Sequence, residues 1–195
     1  MQINESIITS NDKKVLKILE SYLDVNNVII QILSRARVFY FYRQEIKLEP
    51  RLFNFLLELA KCPNEAIDYH NLDGKRKIEK QDYSNEVEYK LAREDQMKRV
   101  RNSKYELLKI LKKVIEKKIK EHEEEQKKLV EHINSGAFPT RTKRKIKKIF
   151  SLEDFALKST ELYRKSFIDP EKLIKGVSKK GFKLALDDNK VIVGI

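Results

Sequence analysis

The sequence predicts an α+β fold dominated by helix, and three observations carry that expectation. A stretch from residue 95 to 134 contains no Gly or Pro, and its apolar residues step by three or four. Clusters of β-branched and aromatic residues sit near 27–48 and again near 173–195. Only 5 Gly and 4 Pro occur among 195 residues, too few tight turns for a sandwich or barrel.

The elements follow in order. Residues 10–23 predict a short amphipathic helix, with Ser10 or Asn11 as cap and Val15, Ile18, Leu19, Tyr22 and Leu23 as one stripe. Residues 27–33, 37–44 and 45–48 predict three short strands, with a tight turn at Arg43–Gln44. Pro50 suits the first turn of a helix, where a missing N–H costs nothing, and Pro63 stops it. Leu52, Phe53, Leu56, Leu57 and Ala60 are its expected core face. A short second helix follows within 64–72, then a polar stretch over 73–95.

The longest helix comes next, from about residue 95. Its stripe of Leu108, Leu111, Ile115 and Ile119 becomes polar at His122 and Gln126 and resumes at Leu129 and Ile133. This predicts a core-facing helix to about 120, then either a continuation or a break. Gly136 and Pro139 end the run. Residues 151–168 predict a further amphipathic helix. Residues 172–195 predict two or three strands, turning at Ser178–Gly181 and at Asp187–Asn189.

Charge is distributed unevenly along the chain. Residues 1–95 hold 15 Lys/Arg against 16 Asp/Glu, and residues 96–195 hold 27 against 14, so the net charge of +12 arises entirely in the second half. Such an asymmetry points to a polyanionic partner.

Two stretches resemble the OmpR/PhoB-type winged helix-turn-helix. In 40–72 the resemblance rests on Ile46, Leu48, Pro50, Phe53, Leu56, Leu57, Leu59, Pro63, Ile67 and Leu72. In 173–186 it rests on Ile174, Val177, Gly181, Phe182 and Leu184, which look like that family's wing hairpin. Between them, Leu108, Leu111, Lys112 and Ile115 are similar to the end of its recognition helix. The resemblance implies a winged helix over 25–195, with a small N-terminal antiparallel sheet, a C-terminal wing and a helical extension at 1–24. It departs from the family in a long helical insertion, 116–171, before the wing. It is also expected to stand without a receiver domain, and so without control by phosphorylation.

The implied function is sequence-specific binding of double-stranded DNA in transcriptional regulation. One helix would enter the major groove and the wing would rest on the backbone. Residues 98–120 carry ten Lys/Arg against two Glu in front of an apolar back. Arg99, Arg101, Asn102, Lys104, Tyr105, Lys109 and Lys112 are the candidate groove face. Arg and Asn side chains can read guanine and adenine edges, whereas Lys suits phosphate. Lys175, Lys179 and Lys180 are the candidate wing contacts. Arg141, Lys143, Arg144 and Lys145 form a candidate second phosphate contact. The insertion is the expected surface for a homodimer.

Enzymatic signals are absent from the sequence. No Gly-rich phosphate loop occurs, and His70, His122 and His132 have no metal-ligand spacing, so all three are expected at the surface. No cofactor is expected. The lone Cys62 fits a reducing, cytoplasmic setting, and no apolar run is long enough to span a bilayer. Two other readings stay open at this point. The winged scaffold could serve protein contact through 116–171, or the basic helices could bind RNA.

Overall fold

The computed structural model describes residues 28–74, 78–135, 152–178 and 180–194. It is a mixed α+β structure, mainly helical, with two small sheets. The chain divides into two compact units, one of Asn26–Lys117 with Ile168–Ile195, the other containing Lys118–Phe167. The expected helix at 10–23 and the basic run at 141–145 lie outside the described residues.

In the larger unit, β1 (Ile30–Leu33), β2 (Val38–Phe41) and β3 (Gln44–Ile46) form an antiparallel meander. Alternation selects its buried face. Ile30 pairs with Phe41 and Ile32 with Phe39, and all four side chains are buried. The turn between β2 and β3 falls one residue earlier than expected, at Tyr42–Arg43. Both residues have positive φ, 48° and 63°, as a two-residue type I′ turn demands. Neither is the Gly or Asn that usually marks such a turn. Burial of the Tyr42 ring against Phe41, at 4.6 Å between centroids, offsets the backbone strain. The Tyr42 hydroxyl also accepts the Ile168 N–H at 2.8 Å.

Helix α1 (Pro50–Lys61) lays Leu52, Phe53, Phe55, Leu56, Leu59 and Ala60 into the core. Leu57, expected there, is half-buried. The buried face extends past the expected stripe on the opposite side from Leu57, which brings Phe55 and Leu59 inward. Asn64 then takes a positive φ of 66°. Its backbone N–H donates to the Leu184 carbonyl at 2.7 Å and its side-chain amide to the Leu186 carbonyl at 2.6 Å. These bonds tie the end of α1 to the C-terminal part of the sequence.

After β4 (Ile67–Asp68) and α2 (Tyr69–Asp73), Gly74 closes the helix in the left-handed region, with φ 63°. Helix α3 (Glu86–Asn134) then starts nine residues before the expected position and runs without a break. Asn85 explains the start: its Oδ1 accepts the Glu88 N–H at 2.9 Å, and Glu86 and Glu88 lie in the first turn. The first turns place Val87 and Leu91 in solvent, so they show no core stripe.

Beyond α5 (Pro170–Leu173), β5 (Ile174–Val177) and β6 (Gly181–Leu184) form a hairpin, and β6 also pairs with β4 in a three-stranded sheet. The last strand corrects the expectation that the strands of 172–195 belong together in one C-terminal wing. β7 (Val191–Gly194) leaves the hairpin and pairs parallel with β1, giving the order β3-β2-β1-β7. Ser34 secures this pairing, since its N–H and hydroxyl both donate to the Gly194 carbonyl, at 3.0 and 2.8 Å.

In the smaller unit, the end of α3 meets α4 (Leu152–Ser166). His122, expected at the surface, is 4% exposed. Its ring stacks on Tyr163 at 4.2 Å, and its Nε2 lies 3.3 Å from the Ser159 hydroxyl. A helix partner converts what reads as a polar interruption of the stripe into an internal aromatic contact. Arg164 pairs with Glu123 at 3.2 Å outside it.

Candidate nucleic-acid interface

Helix α3 has two opposed faces within the larger unit, and the 3.6-residue repeat creates both. Val100, Ser103, Leu107, Leu111 and Val114 are buried on one. Lys98, Arg101, Asn102, Tyr105, Lys109 and Lys112 lie together on the opposite face, and all are exposed. At about 100° per residue these six fall within an arc of roughly 100°. Tyr105 is 65% exposed and sits between the Arg101–Asn102 pair and the two lysines.

A groove of about 650 Å³ runs beside this face, lined by Lys104, Tyr105, Leu108, Lys109, Lys112 and Lys113, with Glu116 and Glu171. Four lysines and an exposed phenol offer donors only a few residues apart. Glu171 tempers the charge by holding the Lys112 ammonium at 2.6 Å, which raises the Lys112 pKa.

Arg99 departs from the expected role. Its guanidinium donates to both oxygens of Asp73, at 3.2 and 2.8 Å, and this bond raises its pKa. Position 99 lies at the flank of the exposed arc, turned toward the end of α2. The fork geometry that suits Arg to a guanine edge is here occupied by a carboxylate. Lys104 is half-buried, with its Nζ 5.0 Å from the centre of the Phe182 ring. It therefore links α3 to β6, and its charge is spent partly on that ring.

The hairpin places Lys175 and Lys180 at the surface. Lys179 lies outside the described residues, as do Arg141, Lys143, Arg144 and Lys145. Phe182 is buried, 6.5 Å from Phe55 and 5.7 Å from Tyr69, which fixes β6 against α1 and α2. Gly181 sits at the crossing, with φ 143°. A Cβ there would come within 1.9 Å of the Ile67 carbonyl oxygen.

Of the ten candidate contacts, the structure thus gathers Arg101, Asn102, Tyr105, Lys109 and Lys112 on one face. It assigns Arg99 and Lys104 to internal contacts. Lys98 and Lys113 join the exposed surface and were not among the candidates. The signal for Lys98 was its spacing of three, four and seven residues from Arg101, Asn102 and Tyr105.

Among the described residues, no group of three His, Cys, Asp or Glu is arranged to hold a metal ion. No helix among them is long and apolar enough to cross a membrane. Comparison with protein-family models, curated proteins and solved structures finds no match to this chain.

Proposed function

We propose that this chain binds double-stranded DNA in a sequence-specific manner and regulates transcription, with the larger unit acting as a winged helix. The observation that carries the reading is the exposed face of α3. Arg101 and Asn102 stand beside Lys98, Tyr105, Lys109 and Lys112, directly opposite a buried apolar face. Arg101 and Asn102 read base edges, and the lysines and Tyr105 hold phosphates. The order of elements supports the same reading. A small sheet, α1, β4, α2, α3 and the β5–β6 hairpin follow in the sequence expected of a winged helix, with β6 paired to β4. The hairpin is the wing and carries Lys175 and Lys180 to the backbone.

Two copies meet through the smaller unit in this scheme. Leu129, Leu157 and Leu162 are exposed there, and Leu157 borders an apolar groove with Val130 and Ala156. A dimer would present two α3 faces to two half-sites.

The test is selection of duplexes from a random pool, followed by anisotropy titration of the enriched sequence. Saturable binding that scrambling the sequence weakens by at least about a hundredfold is expected, since specific sites commonly exceed non-specific ones by about 10³ or more. Equal affinity for scrambled duplex, or preference for structured RNA, overturns the proposal.

A further inference from the structure

A second concavity lies on the other side of α3. It has a volume of about 220 Å³ and is framed by α2, the first turns of α3 and the hairpin turn. Its wall includes His70 from α2, Tyr89, Arg93 and Gln96 from α3, and Lys180 from the turn. Asp68 is the one carboxylate among its described lining residues. Arg93 and Lys180 are exposed and form no ion pair among the described residues.

Gln96 sets this cleft apart. It is 4% exposed, and its Nε2 has no acceptor among the described residues. A buried amide donor without a partner is costly, and folded proteins rarely leave one. Arg and Lys side chains carry donors only, so the missing partner is an acceptor that also answers two positive charges. An oxyanion meets both needs.

We propose that this cleft binds a small phosphate-type oxyanion. Arg93 and Lys180 supply the charge, and the Gln96 amide is the fixed donor that orients the ligand. The volume is below the roughly 300–1,000 Å³ of pockets that enclose drug-sized molecules. It therefore suits a phosphate group or a small phosphorylated molecule. Positions 89, 93 and 96 lie on the side of α3 away from Arg101, Tyr105 and Lys109, so Lys180 is the one residue this site shares with the DNA reading. Because Lys180 belongs to the hairpin, a bound anion would join the hairpin turn to α3 and hold the two together.

Titration of the full ¹⁵N-labelled chain with inorganic phosphate tests this, at constant ionic strength and against chloride. The Gln96 side-chain amide is expected to shift saturably, and Arg93→Gln and Lys180→Gln are each expected to weaken phosphate binding about tenfold, as for loss of one charge-assisted hydrogen bond. Gln96→Leu keeps the volume but removes the donor. It should abolish phosphate binding while leaving the phosphate-free chain at least as stable as the parent. A repeat with duplex DNA present identifies the source of the ligand. Phosphate that binds alongside duplex marks a free small molecule, and phosphate displaced by duplex marks a backbone phosphate. A Gln96 signal unmoved by phosphate, or moved equally in Arg93→Gln and Lys180→Gln, overturns the proposal whether or not the chain binds DNA.

Discussion

Asp73 is held by both arms of the Arg99 guanidinium, at 3.2 and 2.8 Å, and the Asp73 side chain is only 7% exposed. Removing Arg99 would strand a nearly buried carboxylate. Since Arg99 itself is 39% exposed, solvent reaches the pair and moderates the loss. Arg99→Gln should therefore destabilise the chain by about 1–2 kcal/mol in urea unfolding. Under conditions where both variants stay folded, it should lower duplex affinity less than Arg101→Gln does. The reverse ranking would place Arg99 in the groove after all.

On the proposed DNA reading, the exposed face of α3 makes two kinds of contact. Asn102→Ala should relax discrimination at one base pair by about 1–3 kcal/mol and leave the salt dependence nearly unchanged. Lys109→Gln should weaken all duplexes alike and lower the slope of log affinity against log salt by about 1. Anisotropy titrations across a salt series, with matched and mismatched duplexes, read both quantities.

Two glycines in the hairpin make opposite predictions. A methyl at Gly181 would collide with the Ile67 carbonyl oxygen on a backbone already at positive φ, so Gly181→Ala should cost at least about 2 kcal/mol. A methyl at Gly176 meets only the Phe182 ring, at 3.7 Å, an ordinary contact. Gly176→Ala should leave the melting temperature within a few degrees of the parent. Paired thermal melts decide this, and equal losses would contradict the β4–β6 crossing.

His122 makes stability depend on pH. Burial lowers its pKa below the ordinary 6.5, while Glu125 and Glu123 partly counter that effect, and Tyr163 and Ser159 face the ring. The unfolded chain therefore binds a proton at a higher pH than the folded one. The contribution of the neutral ring is fully present above pH 6.5 and declines as pH falls below it toward the depressed folded value. Unfolding free energies measured from pH 8 to pH 5 should fall over the acid part of the range. The His122→Gln variant should lose that component of the slope.

Local patterns made part of this structure legible and hid the rest. Runs of β-branched and aromatic residues in 27–33 and 37–44 marked β1 and β2, because such side chains fill the buried face of a short strand. Pro50 and Pro63 bracketed α1 because each acts on its own peptide units. The start of α3 was hidden because its cap, Asn85, precedes turns whose apolar residues stay in solvent. Tyr42–Arg43 was missed as a turn because neither residue is a Gly or Asn, and the bond that anchors the Tyr42 hydroxyl comes from Ile168, 126 positions away. His122 was misjudged for a similar reason, since its partner Tyr163 is 41 positions away. On the candidate face, helical periodicity put Arg101, Asn102, Tyr105, Lys109 and Lys112 side by side, and all five are exposed. It said nothing of Asp73, which takes Arg99 out of that set.

The parallel pairing of β7 with β1 also bears on synthesis. A chain emerging from the ribosome exposes one edge of β1 until residue 194 has been made, about 160 residues later. Nascent chains thus carry an uncovered strand of Ile30, Ile32 and Leu33, a template for pairing with other chains. The four-stranded sheet can close only late, so its formation should be the slow, long-range step of folding. Truncation just before Val191 should accordingly shift the product from folded protein toward aggregate, even though every residue of the α3 face is still present.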